Sequence, residues 1–517
     1  MKYDVIVVGG GNAGCALAAR LSEDPARSVL LLEAGPDYPD FQSLPDDIKY
    51  SNNQMASSVD GPHVWSFDGW PTPDQPGPTP MVRGRVMGGG SAVNGAVLLR
   101  GSPHDFDGWA AAGNPRWSFV EVLPYFRKME RDLDYRDDFH GSDGPVPVRH
   151  HKRRDFLPFP EAFYRSCLDA GFPEHLDINH PEATGISPLA VNNVDGVRMS
   201  AALTYVNPAR HRLNFTVRGN ALVTRILFSG RRATGVRVES GGREFTVEGR
   251  EVVLSAGAIK SAHLLLLSGV GPGDQLSRLG IPVVQDLAGV GKNMKEHPQI
   301  GVRLAVEEGV VMDPDAPRRQ CALHFTASGS GSPNDLMVMP ASFAIKLGQD
   351  PRQHDGLRLT PSLYRPAGSG DLTLAAADPH VQPNLDYRFL EHSWDRQRLR
   401  ECLRLCVRLL EHDAFKGIVA RRLEPADEDL ESDGALDRWM VRTVASTTTQ
   451  HMSGTCKMGP ASDPTAVVDQ YCRVHGVEGL RVVDTSIMPD IVSAGTNGTA
   501  IMVGERAADL MRETEGR

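Results

Sequence analysis

The chain has 517 residues, with 55 Lys and Arg against 65 Asp and Glu, a formal net charge of −10. That length exceeds what one core supports, so two interlocked domains are expected, and the acidic balance argues against nucleic acid as the main partner. Seven scattered cysteines (Cys15, Cys167, Cys321, Cys402, Cys406, Cys456 and Cys472) have the spacing of neither a disulfide framework nor a zinc site, and no metal is expected.

In chain order, an apolar run from Val5 to Val8 meets Gly9-Gly10-Gly11-Asn12-Ala13-Gly14, and a helical pattern (Ala16, Leu17, Ala19, Leu21) follows. A second apolar run, Val29 to Leu32, ends on Glu33. This predicts strand, tight turn, helix and parallel strand, with GxGxxG at Gly9, Gly11 and Gly14. Gly9 permits the turn, Gly11 lets backbone approach a pyrophosphate, and Gly14 lets helix pack on strand. The free N–H groups and positive dipole end of the helix suit a phosphate, and Glu33 stands where a carboxylate accepts from an adenosine ribose.

Residues 36 to 80, rich in Pro, Asp, Ser and Asn, read as extended loop, and residues 84 to 101 form a Gly-rich segment. From 102 to 197 the pattern is mixed, with helices over Phe119 to Arg131 and Leu157 to Ala170; the basic run Arg149 to Arg154 reads as a solvated loop. Residues 214 to 255 give short alternating strands, followed by Ala256-Gly257-Ala258 and a helix from Lys260 to Leu267. Residues 298 to 440 look α+β, with an amphipathic helix from Trp394 to Leu410 in which Cys402 and Cys406 are packed thiols. The tail returns to a strand, Leu480 to Val483, then Asp484, a loop, and a helix from Thr499 to Met511. A nucleotide fold interrupted by insertions and closed by the C-terminus accounts for this order. No apolar stretch approaches the ~20 residues of a spanning helix, and the early first strand leaves no room for a signal peptide.

The segment Gly84-Arg85-Val86-Met87-Gly88-Gly89-Gly90-Ser91-Ala92-Val93-Asn94 has the form (G/A)-R-x-x-G-G-x-S-x-x-N. Gly257-Ala258-Ile259-Lys260-Ser261 through Ser268-Gly269-Val270-Gly271 follows, then Val290 to Met294 with His297, His451 to Cys456, and Val482-Val483-Asp484. With these motifs, in this order, the chain resembles the glucose–methanol–choline family of FAD-dependent oxidoreductases. Leu98, Ala262 and Thr499 depart from that family's usual residues. The resemblance implies an α/β fold: an FAD-binding Rossmann-like domain of glutathione-reductase type, with an inserted α+β substrate-binding domain. The first would take residues 1–110, 198–297 and 441–517, the second 111–197 and 298–440.

It also implies FAD, held noncovalently because Val93 stands where some relatives carry a flavin-linked His. Cofactor contacts would come from Gly9, Gly11, Asn12, Ala13 and Gly14 at the pyrophosphate, Glu33 with Ala34 at the ribose, and Val223 at the adenine. Arg85, Gly90, Ser91, Asn94, Gly95 and Val97 would run along the flavin and its linker, with Ala256 and Asp484 near the pyrophosphate and Asn497, Gly498 and Thr499 by the ring. The implied reaction oxidises a primary or secondary alcohol to a carbonyl, with His451 as base. The second catalytic position falls on Gly495, which offers no side chain, so Asn497 is the nearest donor. His297 is expected to order a loop and His263 to be a buried residue. A cyanohydrin-type lyase and a fatty-acid decarboxylase on the same scaffold are the rival readings. Gln450, before the proposed base, predicts a more polar pocket. The expected partners are a small alcohol and an electron acceptor (oxygen, a quinone or another carrier), and the expected location is cytoplasmic, at a membrane surface if the acceptor is a quinone.

Overall fold

The two opening apolar runs become neighbouring strands at the centre of a seven-stranded sheet. In the computed structural model, which describes residues 2–75, 77–311, 313, 315–343, 356–444 and 449–515, β1 (Lys2–Val8) and β2 (Val29–Leu32) pair in parallel, Val5 opposite Val29 and Val8 opposite Leu32. The helix α1 (Asn12–Leu21) connects them. Continuous apolar runs are what a strand covered on both faces requires, and Val5–Val8 and Val29–Leu32 are all buried. Phe215–Arg218 extends the parallel layer beyond β2, and the last seven residues of the strand Arg243–Leu254 extend it beyond β1, with Leu480–Val482 outside them. The first half of Arg243–Leu254 leaves that layer and pairs antiparallel with Arg232–Ser240, which pairs with Leu222–Ser229.

The C-terminal helix, Thr496–Glu515, packs along α1. Gly504 makes this approach feasible, since a Cβ there would lie 2.4 Å from the Ala13 carbonyl oxygen. Arg20 on α1 then pairs with buried Glu505 at 2.8 Å, which also accepts from the Tyr205 hydroxyl at 2.7 Å.

A second sheet is antiparallel, in the spatial order Val419–Glu424, Val302–Val306, Leu357–Leu363, Leu336–Ala341, Cys321–Phe325, Gly185–Pro188. Helices Ser393–Leu409 and Pro158–Asp169 pack on it, burying Cys402 and Cys406 among their apolar residues. The helices expected over 119–131, 157–170, 260–267, 394–410 and 499–511 occur as Phe119–Met129, Pro158–Asp169, Gly257–Leu267, Ser393–Leu409 and Thr496–Glu515. Of the proposed domain spans, residues 344–355, 445–448 and 516–517 lie outside the described residues, as do a few single positions.

Two expectations are corrected. Residues 36–80 are not all extended loop: Val64–Gly69 pairs antiparallel with Thr79–Gly84, and Trp65 and Phe67 turn aromatic rings to the cavity described below. Polar, Pro-rich flanks hide this short hairpin from pattern reading. The basic run is a solvated loop only in its second half, Lys152 to Arg154, which is exposed. Val146–His150 is a strand, and His150 and His151 are buried, His150 within reach of Asp132, Asp134 and Asp177.

Candidate functional site

Where β1 ends, the chain makes the turn that GxGxxG predicts. Gly9 has φ +104°, and a Cβ there would stand 2.5 Å from the Ser255 carbonyl oxygen; one on Gly14 would stand 2.0 Å from the Gly9 carbonyl oxygen. Gly11 differs, because its Cβ would meet nothing closer than Ser255 O at 3.9 Å. It is also the residue before α1, with no side-chain cap, so the first-turn N–H groups face outward without an internal acceptor. Gly10 N–H and Gly35 N–H donate to the Glu33 carboxylate at 2.9 and 2.8 Å, and burial pushes that carboxyl up to about 7.

These groups open onto a cavity of about 620 Å³, a volume within the ordinary range for small-molecule sites. Gly9, Gly11, Asn12, Ala13, Glu33 and Ala34 line it, with Gly90, Asn94, Gly95 and Val97 from the second glycine segment. Val223, Ala256, Asp484, Asn497 and His451 complete the expected set on its wall. Gly14, Ser91, Gly498 and Thr499 stand behind the wall, and Arg85 is exposed and off the cavity lining. Gly14 is packed on Gly9, Gly498 faces the Leu99 carbonyl, and Thr499 is fully buried. The Ser91 hydroxyl donates to Gly88 O at 2.6 Å and accepts from Ala201 N at 2.9 Å. The Arg85 guanidinium lies 4.5 Å over the Trp65 ring.

Asn497 is not available as a second catalytic donor. Its amide donates to Val97 O at 3.1 Å and to Asn192 Oδ1 at 3.3 Å, while its Oδ1 accepts from Asn12 at 2.7 Å. Asn12 Oδ1 in turn accepts from Ser91 N at 3.0 Å, so the pair bolts four chain segments together. Asp484 has a similar part: its carboxylate accepts from Gly257 N, the Ser261 hydroxyl and Ser486 N, and burial raises its pKa. Sequence reasoning missed Arg198, whose guanidinium is buried on the wall and donates to the carbonyls of Asn94, Ala92, Asp47 and Asn53. A single arginine on a two-residue strand carries no signal in one sequence.

His451 is held by a chain of bonds. Its backbone N–H donates to Glu296 Oε1 at 2.7 Å, its Nδ1 lies 2.9 Å from His297 Nδ1, and His297 Nε2 lies 3.0 Å from the Val492 carbonyl oxygen. A carbonyl can only accept, so His297 Nε2 carries the proton and His297 Nδ1 accepts from His451 Nδ1–H. That leaves the lone pair of His451 on Nε2, beside Gly495, where an added Cβ would stand 3.6 Å away. His297 is fully buried and stacks on Tyr364 with centroids 4.2 Å apart, so it does more than order a loop. Burial, then the charges of Arg83 and Arg319, push His451 down to about 3; burial and His451 push His297 down as well. His263 is buried, as expected, and burial pushes it to about 3. Glu296, His297 and His451 stand close enough to hold an ion in principle, but the two imidazoles spend their Nδ1 atoms on one another.

The N-terminal GMC oxidoreductase family profile matches residues 3–299 and the C-terminal one residues 366–504. A curated relative, an uncharacterized GMC-type oxidoreductase of Rhodococcus erythropolis, is 37% identical over 510 residues, 98% of each chain. The mitochondrial choline dehydrogenase of Mus musculus is 35% identical over 99% of this chain and 89% of its own. Among solved structures, pyridoxine 4-oxidase from Mesorbium loti superposes with a TM-score of 0.91 at 28% identity, covering both chains fully. An Aspergillus oryzae formate oxidase variant gives 0.88 at 26%, covering 100% of this chain and 99% of that one. The chain belongs to the GMC oxidoreductase family, a family of flavoproteins, and its cofactor is FAD. The open face of Gly11, the uncapped start of α1 and the Glu33 carboxyl on one wall suit such a dinucleotide. No helix among the described residues is long and apolar enough to cross a membrane.

Proposed function

We propose that the protein oxidises a primary or secondary alcohol to a carbonyl, with His451 as the base and FAD bound noncovalently. The observation that carries this is the lone pair of His451 Nε2, left facing the cavity by the chain Val492–His297–His451. FAD, when bound, would supply the hydride acceptor for the carbinol hydrogen. The chain's part is to take the hydroxyl proton at His451 Nε2 and to hold the alcohol beside it. Burial, with the charges of Arg83 and Arg319 added to it, keeps His451 neutral and so able to accept that proton.

The pyrophosphate would lie on Gly9, Gly11, Asn12 and Ala13, the ribose on Glu33 and Ala34, and the adenine against Val223. Gly90, Asn94, Gly95 and Val97 would carry the linker and ring, with Asn497 by the ring and Ala256 and Asp484 near the pyrophosphate. Ser91, Gly14, Gly498 and Thr499 would support those contacts from behind, and Arg85 through Trp65 from the exposed side. The two sheets correspond to an FAD-binding domain (1–110, 198–297, 441–517) and a substrate-binding domain (111–197, 298–440). A diffusible acceptor, oxygen or a quinone, would reoxidise the flavin in the cytoplasm or at a membrane surface. Anaerobic bleaching of the bound flavin by a panel of alcohols tests the reading, and His451→Ala should slow it by roughly 10²–10⁴. Turnover of a cyanohydrin, with no alcohol bleaching the flavin, would sink it in favour of a lyase.

A further inference from the structure

The cavity carries charge that oxidation of a neutral alcohol does not use. Arg318 and Arg319 follow Pro317 at the entry to the strand Cys321–Phe325, and both line the cavity with His451 and Tyr364. The other arginines on the cavity are spent on partners: Arg83 pairs with Glu296, Arg149 donates to the carbonyl and amide oxygens of Asn193, and Arg198 donates to four backbone carbonyls. Among the described residues, Arg318 and Arg319 have no carboxylate partner. The Nε of Arg319 is buried and bonds to nothing. That of Arg318 reaches only the Phe343 carbonyl, at 3.3 Å.

A guanidinium does not give up its proton in a protein, so these charges remain and await a counter-charge. Glu296 cannot supply it. One of its oxygens already accepts from His451 N, the Thr449 hydroxyl and His297 N, and the other faces Arg83. The cofactor's anionic part would lie on the turn before α1, against the other sheet. Burial and the mutual repulsion of Arg318 with Arg319 and Arg358 lower the basicity of Arg318, and the charge of Arg319 reaches both Tyr364 and His451.

We propose that Arg318 and Arg319 form an anion subsite beside His451, and that the substrate is an alcohol carrying a carboxylate, not a cationic amino alcohol such as choline. This rests on the alcohol-oxidation reading for the word substrate, while the subsite itself does not. Two planar forks match a carboxylate bidentately, and a carboxylate would supply the missing counter-charge. A trimethylammonium group would instead meet two unpaired cations.

The test uses the FAD-loaded full chain. Binding of straight-chain carboxylates, the matching primary amides, alkyl phosphates and alkyl-trimethylammonium ions is followed by perturbation of the flavin spectrum and by calorimetry. The carboxylate should bind roughly 10–100-fold tighter than its amide, the worth of charge-assisted hydrogen bonds. Arg319→Gln should bring that ratio near one, and Arg319→Lys should restore part of it, with flavin content reporting that each variant has folded. An amide or ammonium ion binding as tightly as the carboxylate overturns the proposal. So does an alkyl phosphate binding tighter, or a preference that survives both Arg318→Gln and Arg319→Gln. Anaerobic flavin bleaching by hydroxy acids against their methyl esters separates this from the function itself. Selective carboxylate binding with no alcohol bleaching the flavin leaves the subsite standing and removes the alcohol reading. Bleaching by esters without carboxylate selectivity does the reverse.

Discussion

At the residue scale, the site turns on which nitrogen of His451 holds a proton. The position proposed for the base is marked by the His451 to Cys456 motif, but the orientation of its ring is not, because the partner that sets the tautomer lies 154 residues away. His297 reads in sequence as a loop residue, and only its bonds to Val492 O and His451 Nδ1 give it a further part. Replacing His297 by Phe, which can keep the stacking on Tyr364, removes the acceptor for His451 Nδ1–H. The ring is then free to present the wrong nitrogen, and kcat for flavin reduction should fall on the order of 10²–10⁴ while KM changes little. An equal loss in flavin content would mark His297 as merely structural. The pH profile gives a separate reading. A base works deprotonated, and His451 is pushed to about 3, so it is neutral across the usual range. The rate of flavin reduction should therefore stay flat from about pH 8 to about pH 5, with no limb near the ordinary imidazole value of about 6.5. A sigmoidal fall centred near 6.5 would show that burial and the charges of Arg83 and Arg319 do not act on His451 as described.

At the element scale, the opening turn and α1 were the most legible part of the chain, since GxGxxG between apolar runs encodes one geometry. The hairpin Val64–Gly69 with Thr79–Gly84 was not, because its strands are short and sit among Pro and Asp. The structure goes beyond the motif by separating its glycines. A methyl at Gly14 collides with backbone at 2.0 Å, whereas one at Gly11 meets no protein atom nearer than 3.9 Å and projects from the residue that starts α1. Gly11 also has φ −80°, which alanine accepts readily. Gly11→Ala should thus leave the melting temperature of the flavin-free protein within a degree or two while weakening FAD binding at least tenfold. Gly14→Ala should lower both, with overpacking costing about 1–3 kcal/mol of stability. Titration of each apoprotein with FAD, beside its thermal melt, decides. Equal FAD affinity in Gly11→Ala and the parent would remove the pyrophosphate from that turn.

At the scale of the whole molecule, the two sheets draw on interleaved stretches of sequence, and a buried charge network that no local pattern announces gathers residues from three stretches between them in the chain. His140 lies 2.8 Å from Glu130, 3.3 Å from Asp132 and 2.9 Å from Asp177, all of them buried, and Glu130 also pairs with Arg100 at 2.5 Å. Asn179, two residues past Asp177, accepts from Arg100 N and donates to Leu98 O, which ties the network to the segment running on from the cavity residues Asn94 to Val97. The surrounding carboxylates outweigh the cost of burial for the His140 cation and push its pKa up to about 11, while the histidines hold Asp132 and Asp177 low. The raised His140 value makes its stabilisation complete below about 6.5 and erodes it as pH rises towards 11. The lowered carboxylates work in the opposite sense: their share is present above about 4 and is lost in acid. His140→Gln leaves three buried carboxylates short of a cation, a defect worth about 3–5 kcal/mol. The melting temperature should therefore drop most, relative to the parent, between about pH 5 and 6.5, and the gap should narrow through pH 9. A gap constant from pH 5 to 9 would mean that His140 is neutral in the folded protein and that the network is held by hydrogen bonds without its charge.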